Sequence, residues 1–102
     1  MAVVLFTVKA TIPKEKEAAF NRWYNEVHCP HLLRYAGAVS ARRYRTIMGD
    51  DKYQYIAMYE FQDEATFQRF MKSDHLEELR NDYNAVYSES ERQIAAYEQI
   101  WP

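Results

Sequence analysis

Residues 90–101, SERQIAAYEQIW, decide the fold. Ile94, Tyr97, Ile100 and Trp101 fall at a helical period and would extend the helix before them. The elements upstream arbitrate. They read strand, helix, strand, strand, helix, an order that needs one more strand to complete its sheet. Residues 90–101 are therefore predicted to be that strand. The result is an α+β fold of the ferredoxin-like βαββαβ type, with an antiparallel sheet and helices on one face.

The upstream elements carry clearer signals. Residues 53–61, YQYIAMYEF, alternate Tyr53, Tyr55, Ala57, Tyr59 and Phe61 against Gln54, Ile56, Met58 and Glu60, the cleanest strand pattern in the chain. Before it, MGDDK makes a hairpin turn around Gly49 and Asp50. Residues 38–48 form the partner strand, with Val39, Ala41, Arg43, Arg45 and Ile47 on one face and Ser40, Arg42, Tyr44, Thr46 and Met48 on the other. Residues 3–12 alternate Val4, Phe6, Val8, Ala10 and Ile12 on one side. Pro13 ends that strand. From Lys14 the period changes: Phe20, Trp23, Tyr24, Val27 and His28 make a helical stripe. Pro30 is expected to break this helix near His28 and to start a short turn that stops at Gly37. Asp63 can N-cap the next helix, which presents Phe67, Phe70 and Met71. A further helix spans Asp74–Tyr87 on a stripe of Leu76, Leu79, Tyr83 and Val86, with Arg80 and Tyr87 beside it.

A chain of 102 residues is one domain's worth, and 48% hydrophobic with 27% charged residues suits a soluble globular protein. The net charge of −2 leaves no electrostatic footprint for nucleic acid. No apolar run is long enough to span a membrane and no targeting segment is visible, so the expectation is a cytoplasmic protein without a membrane partner. The one cysteine, Cys29, excludes an internal disulfide. Helices on one side leave the other sheet face uncovered. An uncovered apolar face implies a partner, most simply a second copy in a sheet-to-sheet homodimer.

Two segments carry a family resemblance. FNRWYNEVHCPHLLRYAGAVSARRYR (20–45) is an aromatic helix ending in His-x-Pro, followed by Gly-x-x-x-x-Arg-Arg-Tyr. YIAMYEFQDEATFQRFMKSD (55–74) runs a strand into Asp-Glu-Ala and a phenylalanine-rich helix. Together they resemble the EthD-like branch of the dimeric α+β barrel superfamily, and the resemblance covers nearly all of residues 1–102. It implies a cavity within each subunit, between sheet and helices, faced by a histidine near the end of the first helix, here His28. Relatives include polyketide cyclases, muconolactone-type isomerases and cofactor-free monooxygenases that form quinones. Some relatives use several cavity histidines. This chain has only His28, His31 and His75, which puts a multi-histidine mechanism in doubt.

The residues themselves name candidates. His28 sits on the buried stripe, where the helix dipole favours its charged form and burial opposes it; such a balance suits proton exchange near neutral pH. The alternative is a core histidine bonded to a backbone carbonyl. His31 is a second pocket group or a capping residue. His75 reads as an exposed first-turn residue. His28, Cys29 and His31 are too close along the chain for an easy metal site, and no metal is expected. Arg43 could hold a carboxylate or enolate oxygen by a bidentate fork, or form a surface ion pair. Tyr24, Tyr44, Tyr55 and Tyr83 are candidate pocket walls with phenol hydroxyls for an aromatic or lactone ligand. No phosphate loop, catalytic serine order or dinucleotide fingerprint occurs, so no cofactor is expected. The function expected is proton transfer on a small hydrophobic cyclic metabolite, with His28 as acid or base: isomerisation, cyclisation or dehydration of a lactone, ketone or phenol. A binding protein without chemistry, a cofactor-free monooxygenase and a dimer with a filled core are the alternatives.

Overall fold

A computed structural model describes residues 2–102. The elements are β1 (Val4–Ala10), α1 (Glu17–Trp23), a π-turn (Tyr24–His28), α2 (Cys29–Leu33), β2 (Ala38–Arg45), β3 (Tyr55–Phe61), α3 (Glu64–Met71), α4 (Asp74–Tyr87) and β4 (Arg92–Glu98). The four strands form one antiparallel sheet in the order β2-β3-β1-β4, so the ferredoxin-like βαββαβ expectation holds, including the last strand. Among the described residues no helix is long and apolar enough to cross a membrane.

The alternation in β1 and β3 sorts directly into layers. Val4, Phe6, Val8, Ala10, Tyr55, Ala57, Tyr59 and Phe61 are buried beneath the helices. Tyr53 and Tyr55 therefore belong to the protomer's own packing, as does Tyr59. The other face carries three cross-strand rows: Ser40, Glu60, Leu5, Tyr97; then Arg42, Met58, Thr7, Ala95; then Tyr44, Ile56, Lys9, Gln93. No helix packs there, which leaves Tyr97 and Tyr44 about half exposed.

Pro30 does not break the first helix. The chain stays helical from Glu17 to Leu33, and the irregularity is a widened turn in which the Cys29 N–H donates to the Tyr24 carbonyl five residues back. Proline is tolerated because it falls in the first turn of α2, where its missing N–H costs least. The extra residue in that turn rotates the stripe. Val27, expected inside, is half exposed, while His28 and Cys29 turn inward. Stacking of the Trp23 and His28 rings, five residues apart, follows from the same turn, with centroids 4.6 Å apart and planes at 23°.

Both later helices are capped. The Thr66 N–H donates to Asp63 Oδ1 at 2.8 Å and the Leu76 N–H to Ser73 Oγ at 3.1 Å. Gly37 takes φ +99° in the turn before β2, where an added Cβ would lie 2.3 Å from Thr66 Cγ2. Its backbone freedom lets the turn pack against α3. On α4 the buried stripe is Leu76, Leu79, Tyr83 and Tyr87. Val86 is exposed instead, because a spacing of four keeps Tyr87 in line with Tyr83.

Candidate functional site

Between the sheet and the helices lies a cavity of about 250 Å³. Its floor is Phe6 and Val8 of β1, Tyr59 of β3 and Ile94 of β4. Its roof is Tyr24, His28 and Leu32 on one side and Leu76 and Leu79 of α4 on the other. Arg80 of α4 and Arg92 of β4 complete the lining. The lining contains no carboxylate. Strand alternation and the helical stripes put the apolar residues there. The π-turn brings in His28.

His28 is 7% exposed and touches the cavity through an aromatic cage. Trp23 stacks on its ring, Tyr24 meets it edge-on at 4.9 Å, and Tyr83 lies 5.7 Å away. Its Nδ1 is sealed from solvent and has no hydrogen-bond partner. That leaves Nε2 as the ring nitrogen able to meet a ligand. Burial lowers the pKa of His28 from 6.5 to about 4, reinforced by the positive charges of Arg92, His31 and Arg43. The dipole argument from the sequence does not apply, because the helix continues past His28 to Leu33. His28 is a neutral imidazole at neutral pH, able to accept a proton but holding none to spare for acid catalysis.

The other expected site residues disperse. Tyr24 lines the cavity, only 2% exposed, and burial raises its phenol pKa far above the usual range. Tyr83 packs against His28, but its hydroxyl donates to Ser90 Oγ at 2.8 Å, and Ser90 Oγ in turn donates to the Thr11 carbonyl at 2.6 Å. That chain ties the entry of β4 to the end of β1. Arg43 lies over the Tyr24 ring at 4.3 Å and the Tyr55 ring at 5.4 Å, and its guanidinium donates to Asn21 and Asn25 of the first helix. Tyr55 donates to Glu17 and accepts from Asn21. Arg43 and Tyr55 thus sit in a separate, shallow hollow outside the His28 cavity. Tyr44 borders that hollow from the uncovered side of the sheet, since alternation along β2 turns it away from Arg43.

His31 and His75 also leave the cavity. His31 Nε2 lies 3.0 Å from Glu78 Oε1, and its Nδ1 lies 3.6 Å from Asp82 Oδ2. His75, expected to be exposed, is partly buried: its Nε2–H donates to the His31 carbonyl at 2.8 Å, and its ring packs on His31 and Tyr35. The set clasps α2 to α4. His31, Glu78 and Asp82 are the one group of described residues whose donor atoms lie close enough together, within 4.8 Å, to hold a metal ion. Their contacts pair them with one another, and both carboxylates are more than half exposed. Cys29 is drawn the other way, its Sγ 3.8 Å from the Tyr59 hydroxyl. Burial raises its thiol pKa, so it behaves as a small apolar residue.

Sequence reading passed over Arg80 and Arg92. Arg80 borders the buried stripe of α4, and Arg92 shares strand parity with Ile94. Neither the helical stripe nor strand parity singles out these arginines.

The fold has many solved relatives. An EthD family protein from Bacillus halodurans superposes with a TM-score of 0.75 at 19% identity, covering 98% of this chain and 100% of the other. SnoaB, described as a cofactor-independent oxygenase from Streptomyces nogalater, gives 0.66 at 18% identity, covering 98% and 95%. A dimeric protein of unknown function and ferredoxin-like fold from Bacteroides fragilis gives 0.67 at 12%, covering 95% and 96%. The EthD-like resemblance read in the sequence is thus met at the level of the fold. No curated protein matches the chain. A family model matches residues 3–97, and the chain belongs to that family, described as a domain of unknown function, DUF4286.

Proposed function

We propose that this chain binds a small hydrophobic cyclic metabolite in the cavity and moves a proton on it without a cofactor, His28 serving as the base. The reading rests on one observation: an uncharged histidine held by an aromatic cage at the wall of an apolar cavity that has no carboxylate to compete with it. Nε2 would take a proton from the carbon beside a lactone or ketone carbonyl, leaving an enolate and an imidazolium. Burial disfavours the imidazolium, which drives the proton back to carbon. Return at a different carbon is an isomerisation. Expulsion of a β-hydroxyl, protonated as it leaves, is a dehydration. Attack of the enolate on a second carbonyl within the molecule is a cyclisation. The fold likeness to a protein described as a cofactor-independent oxygenase favours a variant in which the base deprotonates a phenol ahead of oxygen chemistry. The setting proposed is the cytoplasm.

The test is exchange of solvent deuterium into a panel of cyclic ketones, lactones and phenols. The wild-type chain is expected to catalyse exchange into some of them, and His28→Gln to lower that rate by about 10²–10⁴-fold while still binding the same compounds. Unchanged exchange in the variant would rule out the catalytic role. Binding by the wild type with no exchange anywhere would favour the non-catalytic carrier.

The same reading places the site in a homodimer joined through the uncovered sheet face. Leu5, Met58 and Ile56 lie diagonally over the two central strands of that face, opposite Glu60, Thr7 and Lys9, and a fold relative is described as dimeric. Light scattering at micromolar concentration should give twice the 12.2 kDa of the chain, and Met58→Glu should return it to the single-chain mass. A wild-type particle of single-chain mass would refute the assembly.

A further inference from the structure

Two guanidinium groups stand at one side of the His28 cavity with no acidic partner. Arg80 makes no ion pair among the described residues. Arg92 has only a neutral partner, donating to Asn84 Oδ1 at 3.3 Å, and its guanidinium lies 4.0 Å over the Tyr83 ring. Asn84 is one turn beyond Arg80 on α4, so the bond to Asn84 brings the head of Arg92 to the same flank of that helix. The opposite flank of α4 carries Glu78 and Asp82, which face His31. Glu78 and Asp82 thus point away from the cavity, and Glu77, three residues before Arg80, forms no ion pair with it among the described residues.

Among the described residues only four of the 13 Lys and Arg residues hold an ion pair, so what distinguishes Arg80 and Arg92 is their place in the cavity lining. Lys9, Lys16, Arg42 and Lys52 each hold a carboxylate within 3.2 Å. The two arginines that line the cavity do not. A fork of N–H donors beside an apolar chamber is what a carboxylate on a hydrophobic body requires. Arg92 is fixed by stacking and by Asn84. Arg80, exposed on the same flank, can add a second fork to the same carboxylate.

Resting on the reading of this cavity as a ligand site, we propose that its ligand is an anion: a cyclic or aromatic carboxylic acid whose ring lies between Phe6, Tyr59 and Leu79 and whose carboxylate is held by Arg92 and Arg80. The anchored carboxylate fixes the orientation of the ring and so selects which of its carbons meets His28. Neutral rings of the same shape lack that anchor.

Calorimetric titration with 1-naphthoate and its neutral isostere 1-naphthamide tests this. The wild type is expected to prefer the carboxylate by tenfold or more. Arg92→Met should weaken naphthoate by at least tenfold and leave naphthamide unchanged. Arg92→Lys should restore part of the preference, Arg80→Met should weaken naphthoate less than Arg92→Met does, and Arg45→Met on the far edge of the sheet should change nothing. Equal binding of acid and amide by the wild type, or a preference that survives in both Arg92→Met and Arg80→Met, overturns the anionic assignment while leaving the cavity a ligand site. If neither compound binds, this proposal falls together with the ligand-site reading.

Discussion

Phe70→Ala is expected to lower the unfolding free energy by about 3–5 kcal/mol, the range for emptying a fully buried aromatic site. Phe70 is completely buried on α3. Its ring centroid lies 4.8 Å from that of Phe61, 5.1 Å from Tyr35 and 6.4 Å from Phe6. It therefore joins β1, β3 and the turn after α2 at one point. These neighbours cannot close the gap, because Phe61 and Phe6 are fixed by their strands and Tyr35 sits between α2 and Gly37. A domain of this size has roughly 5–15 kcal/mol of stability in total, so the variant should be close to unfolding at ambient temperature. Phe70→Leu keeps most of the volume and should cost under about 1.5 kcal/mol. Urea denaturation of the three proteins measures both differences. A loss below about 1 kcal/mol for the alanine variant would mean that α3 does not close this end of the core.

The position of Phe70 was legible in the sequence, and the reason is general. Where one face of an element is buried against a regular layer, the period of its apolar residues reports that layer directly. β3 and α3 are such elements: the buried residues of β3, and Phe67 and Phe70 of α3, are as read, while Thr66 is buried as well and Met71 only partly. β4 is different. It is an edge strand, with Ile94 and Tyr97 both about half exposed, so neither face is strongly marked and its period alone could not separate strand from helix. Only the need for a fourth strand decided it.

The candidate site was less legible, for three physical reasons. The π-turn widens the helix after Tyr24, and nothing in the composition of Tyr24–His28 announces it; the regular stripe placed His28 inside correctly and Val27 wrongly. Arg43 and Tyr55 lie on the covered face, as strand parity indicates, but parity does not say which end of the sheet they occupy. The register puts them against α1, away from the chamber. Arg80 and Arg92 come from elements adjacent along the chain, yet their meeting depends on the angle at which α4 crosses β4, a tertiary quantity. His28 was identified because a helical stripe and a family resemblance agreed on it. Its charge state required the packing, since burial and the loss of the helix end together reverse the balance that the sequence left open.

That reversal predicts the largest pH effect in the molecule. His28 has a pKa of about 4 in the folded chain against 6.5 when exposed. Above pH 6.5 it is neutral in both the folded and unfolded states and contributes no pH dependence. Between pH 6.5 and about 4 the unfolded chain binds a proton that the folded chain refuses, so stability falls as the pH is lowered through this window. By pH 4 and below, the full difference corresponds to roughly 3 kcal/mol. Asp51, Asp63 and Glu89 have lowered pKa values from their own partners and add acid sensitivity at still lower pH, but they are common to wild type and variant and cancel in a comparison. His28→Phe keeps an aromatic ring against Trp23 and cannot take up a proton. Its stability should therefore change much less between pH 7 and pH 4.5 than that of the wild type, so the two curves should not run parallel. Denaturation midpoints measured across this range decide the matter. Parallel curves would mean that His28 meets water in the folded protein, and the neutral imidazole that the proton-transfer mechanism requires would not be held in place by burial.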